Sequence, residues 1–263
     1  MRARIRPGVS RMVSTKPVRG SGETRTGSTR ACYGLLYLAV ALCAWLTLAG
    51  TARAADSSEF WPEVNGFVGL NPQTRVYLVA AYAKGKEPDT QSLDLAAYLD
   101  ISLKPILREE LRTEDWQRSR YVWARIGYDR IFKASDGTGP DVAEDRGIVS
   151  IYAKAEVPAQ IWVEGRVRAD LRWIGGEYST RYRFRIEATR EFTVANHTVV
   201  PYCNVEWFYD TRYGGWAGTL YQVGPEVTVN SHFRYEIYLA RKDERLPSKE
   251  SLNAFGFVAK WYY

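Results

Sequence analysis

Strict two-residue alternation of apolar and charged side chains, a basic then apolar leader, and a last strand ending on an aromatic residue together predict an all-β fold. The expected architecture is an antiparallel transmembrane β-barrel of twelve strands, with ten as the alternative. The alternation is clearest in Ile161 to Trp173 (IWVEGRVRADLRW) and in Tyr182 to Ala188 (YRFRIEA). Successive strand side chains point to opposite faces. Ile161, Val163, Val167, Ala169, Leu171 and Trp173 therefore share one side of the first stretch, and Glu164, Arg166, Arg168, Asp170 and Arg172 the other. In the second, Tyr182, Phe184 and Ile186 oppose Arg181, Arg183, Arg185 and Glu187. Periodicity separates the faces without saying which meets water: a soluble sandwich buries the apolar side, whereas a membrane barrel turns it to lipid.

The two ends of the chain choose between them. A basic, Ser/Thr/Gly-rich run precedes the apolar stretch Leu35 to Leu48 and then Ala52-Arg53-Ala54, the order of a secretory signal peptide cleaved after about Ala54. Translation from Met12 would give the basic part a more usual length. A spanning helix needs about 20 apolar residues, so a single-pass anchor is the weaker reading. No later run approaches that length, which leaves only a closed barrel as a way to cross a membrane. Leu252 to Tyr263 (LNAFGFVAKWYY) places Phe257, Trp261 and Tyr263 at alternate positions, like the terminal strand recognised by the barrel-assembly machinery of Gram-negative outer membranes. The expected location is therefore that membrane, with its lipids and lipopolysaccharide as neighbours.

Without the leader the basic balance disappears. Residues 1–54 hold nine of the 36 Lys and Arg and one of the 30 Asp and Glu, leaving 27 against 29 in the 209 residues of a single barrel domain, 55–263. No basic patch remains for nucleic acid. Cys32 and Cys43 also fall in the leader, so Cys203 has no intramolecular partner for a disulfide. Leu42 before Cys43 replaces the small residue that lipid anchoring needs.

Further period-two sets run along the chain. They are Val76 to Tyr82, Leu93 to Leu103, Val122 to Tyr128, Val149 to Ala155, Val205 to Tyr209, Tyr221 to Val227, Phe233 to Leu239 and Phe255 to Tyr263. Trp61, Tyr121, Trp173, Tyr178, Trp207, Tyr209, Trp216, Trp261 and Tyr263 lie near segment ends, as interfacial girdles require. Eleven segments can be read, but termini on one side of the membrane require an even number. That predicts either a short extra strand in Lys104 to Trp116 or one strand fewer near the N-terminus.

Three stretches resemble a known family: Arg166 to Arg172 (RVRADLR), Arg181 to Glu187 (RYRFRIE), and Pro201-Tyr202 with Glu206 to Asp210 (EWFYD). Together they are similar to the outer-membrane barrels catalogued as domain of unknown function 2490. The resemblance spans mainly residues 160–240 and implies the same barrel fold, with no activity attached.

With the apolar face toward lipid, the lumen is expected to be lined by Arg125, Asp129, Glu164, Arg166, Arg168, Asp170, Arg172, Arg181, Arg183, Arg185, Glu187, Glu206, Arg234 and Glu236, with Lys154 beside them. A wall of this kind is either a structural network of Arg–carboxylate pairs or a narrow channel favouring anionic solutes. A third reading is a lipid- or lipopolysaccharide-modifying enzyme using Ser231, His232 and Glu236. On one extended strand, however, the last two stand about 13 Å apart and Ser231 faces away. No catalytic residue, cofactor or metal ligand is therefore assigned. The acidic turn Asp136 to Asp145 breaks calcium-loop spacing, and the sequon Asn196-His197-Thr198 carries little meaning in a bacterial setting.

Overall fold

The computed structural model describes residues 57–85, 91–103, 121–134, 142–195 and 197–263. The expected leader, the Lys104 to Trp116 segment, Asn196 and the turn Asp136 to Asp141 lie outside them. The strands are β1 (Ser57–Asn71), β2 (Thr74–Gly85), β3 (Gln91–Ser102), β4 (Val122–Ala134), β5 (Val142–Val157) and β6 (Ile161–Ile174). They continue as β7 (Glu177–Arg190), β8 (Phe192–Val194), β9 (His197–Asp210), β10 (Gly215–Thr228), β11 (Phe233–Glu244) and β12 (Glu250–Tyr262).

Two of the described connections show turn chemistry that the sequence supplies. Gly175 and Gly176, at φ 59° and 87°, form the two-residue hairpin between β6 and β7, a backbone hand that suits glycine. Between β1 and β2 the Asn71 side chain accepts a 2.8 Å hydrogen bond from the Gln73 amide, an Asx turn.

The sheet closes on itself. Strands run β10-β11-β12-β1-β2-β3-β4-β5-β6-β7-β9, and β9 pairs with β10 to complete the circle. The all-β barrel is thus as expected, with twelve strands in the described residues, but β8 pairs only with the start of β9 and stands outside the wall. The wall has eleven strands, which corrects the even count and the wholly antiparallel closure. In an odd ring of alternating strands the first and last run the same way, so β1 and β12 pair in parallel, from Ser57↔Leu252 to Phe67↔Tyr262. The start of β1 and the end of β12 consequently lie at opposite ends of the barrel. Tyr263 extends the seam, its amide donating to the Phe67 carbonyl at 2.8 Å and its carbonyl accepting from Gly69 at 3.0 Å.

The apolar faces point outward. Leu78, Leu95, Ile126, Ile151, Val167, Phe184, Ile186, Leu239 and Phe255 are all exposed on the outer surface. The inner surface carries the polar set, with Asp100, Asp129, Asp170, Glu206 and Asp210 buried. Phe257 and Trp261 also face outward, Trp261 packing on Phe233 with ring centroids 4.9 Å apart. Trp61 departs from the expected girdle: it points inward, 6.5 Å from the Tyr238 ring, because Phe60 takes the outer face of β1.

The lumen is not an apolar core but holds small apolar patches. Phe208, Leu220, Tyr238, Ala254 and Val258 form one, against which Leu246 of the β11–β12 loop packs. Within it the Tyr238 ring lies flat across Gly256 of the neighbouring strand, occupying the space a Cβ there would need; at Gly127 that space is closed by the Ala97 carbonyl and the edge of Tyr98. A Gly256→Val substitution should overpack this joint by about 1–3 kcal/mol. It should lower the folded fraction seen as heat-modifiable mobility on a gel, and Tyr238→Ala in the same chain should restore it. Equal mobility of wild type and Gly256→Val would show that the ring does not hold this position.

Candidate functional site in the barrel lumen

Of the residues expected inside, Arg125, Asp129, Glu164, Arg166, Arg168, Arg181, Arg183, Arg185, Glu206 and Glu236 line cavities enclosed by the wall, while Asp170, Arg172, Glu187 and Arg234 pair or pack beside them. The arrangement is one of carboxylates each held between two cations. On β9, Glu206 accepts from Arg183 of β7 at 2.8 and 2.9 Å and also binds Arg166 of β6. At the end of β9, Asp210 accepts from Arg172 of β6 at 2.6 Å and from Arg181 of β7 at 2.9 Å. Glu144 of β5 joins Arg146 at 2.6 Å and the same Arg172. Asp100 of β3 joins Arg75 of β2 at 2.9 Å to Arg125 of β4 at 2.6 Å. The reverse motif closes the far side, where Lys260 of β12 reaches Glu226 at 2.7 Å and Glu236 at 2.5 Å. Arg234 pairs with the same Glu226 at 3.1 Å.

The remaining arginines are also engaged. Arg168 binds Asp170 and lies 4.0 Å from Asp129, and Arg185 reaches Glu164 at 3.1 Å and Glu187 at 3.7 Å. This matters because the register sets Arg166 directly opposite Arg185 and Arg168 opposite Arg183. Like charges facing across strands repel, so the carboxylates of β6, β7 and β9 are what make this block of four guanidiniums tolerable.

The charge alternation did not disclose an aromatic row. Tyr262, Phe67, Tyr77 and Tyr98 stack side by side across β12, β1, β2 and β3, with centroids 4.7, 4.5 and 5.3 Å apart. Arg125 lies over Tyr77 at 4.3 Å and near Tyr98 and Tyr152 at 5.1 and 5.4 Å, while Arg75 covers Phe67 at 4.4 Å. Cation–π attraction of this kind is worth about 0.5–2 kcal/mol per contact. Also missed were Glu63, Arg75, Asp94, Asp100, Glu144, Arg146, Asp210, Glu226 and Lys260. The same period-two rule, carried along β3 and β5 from Leu95 and Val149, would have found Asp94, Asp100, Glu144 and Arg146.

Two polar cavities remain between these side chains, of about 420 and 430 Å³. Arg146, Arg166, Arg183, Arg185, Glu63 and Asp94 line both, and so form the boundary between them. The residues of the suggested hydrolase are apart from each other, and of them Glu236 alone lines a cavity. His232 Nδ1 lies 2.8 Å from the Tyr262 carbonyl at a turn, while Glu236 binds Lys260 and Tyr202 in the lumen. Among the described residues no group of His, Cys, Asp and Glu is arranged to hold a metal ion.

No family model matches the chain, and no curated protein matches it. Among solved structures it is similar to the β domain of the Bordetella autotransporter BrkA, at 12% identity over 72% of this chain and 83% of that one, with a TM-score of 0.44.

The pairing makes a graded prediction. Removing the charge of Glu206 strands two inward guanidiniums, so Glu206→Gln should lower the unfolding free energy in urea by about 3–5 kcal/mol. Glu177, 78% exposed where it meets Arg212 at the barrel rim, should lose less than about 1 kcal/mol on the same change. Equal effects at the two sites would contradict the network.

Proposed function

We propose that this protein is an integral outer-membrane β-barrel whose lumen forms a narrow channel for small solutes. The observation that carries the reading is a closed barrel with an apolar outer face around a polar lumen, in which two polar cavities of about 420 and 430 Å³ share boundary residues. A barrel with lipid-facing apolar strands is how a chain of this pattern crosses a bilayer with all its backbone groups paired. The outer membrane is the location we infer, from the leader-like N-terminus, the aromatic strand β12 and the motif resemblance to the domain of unknown function 2490 barrels. Insertion would then run through the barrel-assembly machinery, with lipopolysaccharide and phospholipid as the surrounding partners.

The pairing of Arg166, Arg168, Arg172, Arg181, Arg183 and Arg185 with carboxylates argues against a wall of free positive charge. Selectivity for anions over cations is therefore expected to be weak. The same pairs favour a second reading, a structural barrel that does not conduct, since they tie neighbouring strands into a stiff wall.

Refolded protein with heat-modifiable mobility, added to planar bilayers, should give small, reproducible conductance steps with a reversal potential near zero in a salt gradient. Folded protein that gives no steps would leave the structural barrel standing, and recovery from the inner-membrane or soluble fraction would remove both readings.

A further inference from the structure

The boundary between the two cavities carries both signs of charge. On one side stand Arg166, Arg183 and Arg185, from β6 and β7, with Arg146 of β5 near Asp94. On the other stand Glu63 of β1 and Asp94 of β3, separated by Ala81 of β2, which pairs with both. Glu63 and Asp94, like Glu59 further along β1, form no ion pair among the described residues. Glu63 accepts only the Asn65 amide at 2.7 Å, and Asp94 keeps one buried carboxyl oxygen with no hydrogen-bond partner. The opposite wall also has spare capacity. Arg166, nine-tenths buried, and Arg185 each retain an unpartnered Nε.

Two carboxyls on a small-residue recess thus face donor-rich guanidiniums across a polar space, and neither set is fully satisfied by its own wall. A buried polar atom left without a partner is unfavourable, so the arrangement suits a guest that supplies a cation to one side and an anion to the other.

We propose that this boundary is a binding site for small zwitterionic solutes, such as free amino acids and short peptides. The ammonium group lies between Glu63 and Asp94, and the carboxylate lies toward Arg166 and Arg185. The proposal rests on the lumen being open to solutes, as the channel reading has it. The surrounding network is undisturbed by the guest, because Glu206, Glu164 and Glu187 keep their own arginines.

The test is binding of glycylglycine to the full refolded barrel in detergent at mildly alkaline pH, followed by calorimetry, with the matching uncharged, end-blocked dipeptide as control. Wild type should bind glycylglycine and ignore the blocked peptide. The double substitution Glu63→Gln with Asp94→Asn keeps size and breaks no ion pair, so it should fold to the same heat-modifiable form. It should also weaken binding by about tenfold or more. Arg166→Gln removes a cation from Glu206 and so perturbs the wall itself, and the acid-side variant is the one that decides. Absence of binding to wild type, equal binding of the blocked peptide, or unchanged affinity in the double variant would each overturn the site. Conductance on the same samples separates this from the channel reading: binding without conductance removes the channel and keeps the site, whereas conductance without binding does the reverse.

Discussion

Once the apolar side chains of alternating strands face outward, every charged residue between them must share one narrow interior, and the rest of the structure follows from how those charges are reconciled. The wall itself is secured by main-chain pairing that closes completely and leaves no sheet edge open. The interior is secured by carboxylates set between arginines. Asp100 joins β2 to β4, Glu206 joins β6 to β9, and Asp210 ties β6 and β7 to the same strand. Such pairs sit where losing one partner strands a charge, which is why they act as rivets rather than ornaments.

The network is uneven, and its gap is informative. From β2 to β9 the inner face is bridged strand by strand, whereas at the parallel seam between β1 and β12 the contacts are aromatic: Phe60 on Phe255 outside and Phe67 on Tyr262 inside, 5.9 and 4.7 Å apart. Near that seam and its neighbour β3, Glu59, Glu63 and Asp94 form no ion pair among the described residues. The lumen is thus nearly neutral in sum but polarised across its width. A neutral sum is the basis of the weak ion selectivity proposed for it; a solute with separated charges is what the proposed site would recognise.

Much of this was legible in the sequence, and the failures have physical causes. Period two puts Arg166 and Glu206 on one face because a strand offers only two sides, and both line a cavity inside the wall. It could not give pairing, since Glu206 meets Arg166 across an intervening strand, 40 positions away. The strand number eluded parity reasoning because parity assumes an antiparallel closure, and a parallel β1–β12 seam removes that assumption. The aromatic row of Phe67, Tyr77, Tyr98 and Tyr262 went unseen because rings were assigned to the lipid girdle. In the lumen, stacked rings with arginines over them serve a polar environment equally well. Trp61 was misplaced for the same reason.

The central claim is the sign of the faces, apolar to lipid and charged to lumen. A nitroxide walked by cysteine substitution along Ile161 to Trp173, in protein reconstituted into lipid vesicles, reports it directly through collision with dissolved oxygen and with a water-soluble nickel complex. Odd positions such as Val163, Val167 and Leu171 should collide with oxygen and be shielded from nickel, and even positions should be shielded from oxygen, alternating residue by residue. Odd positions protected from both reagents, with even positions open to nickel from bulk water, would instead describe a soluble sandwich and contradict the account.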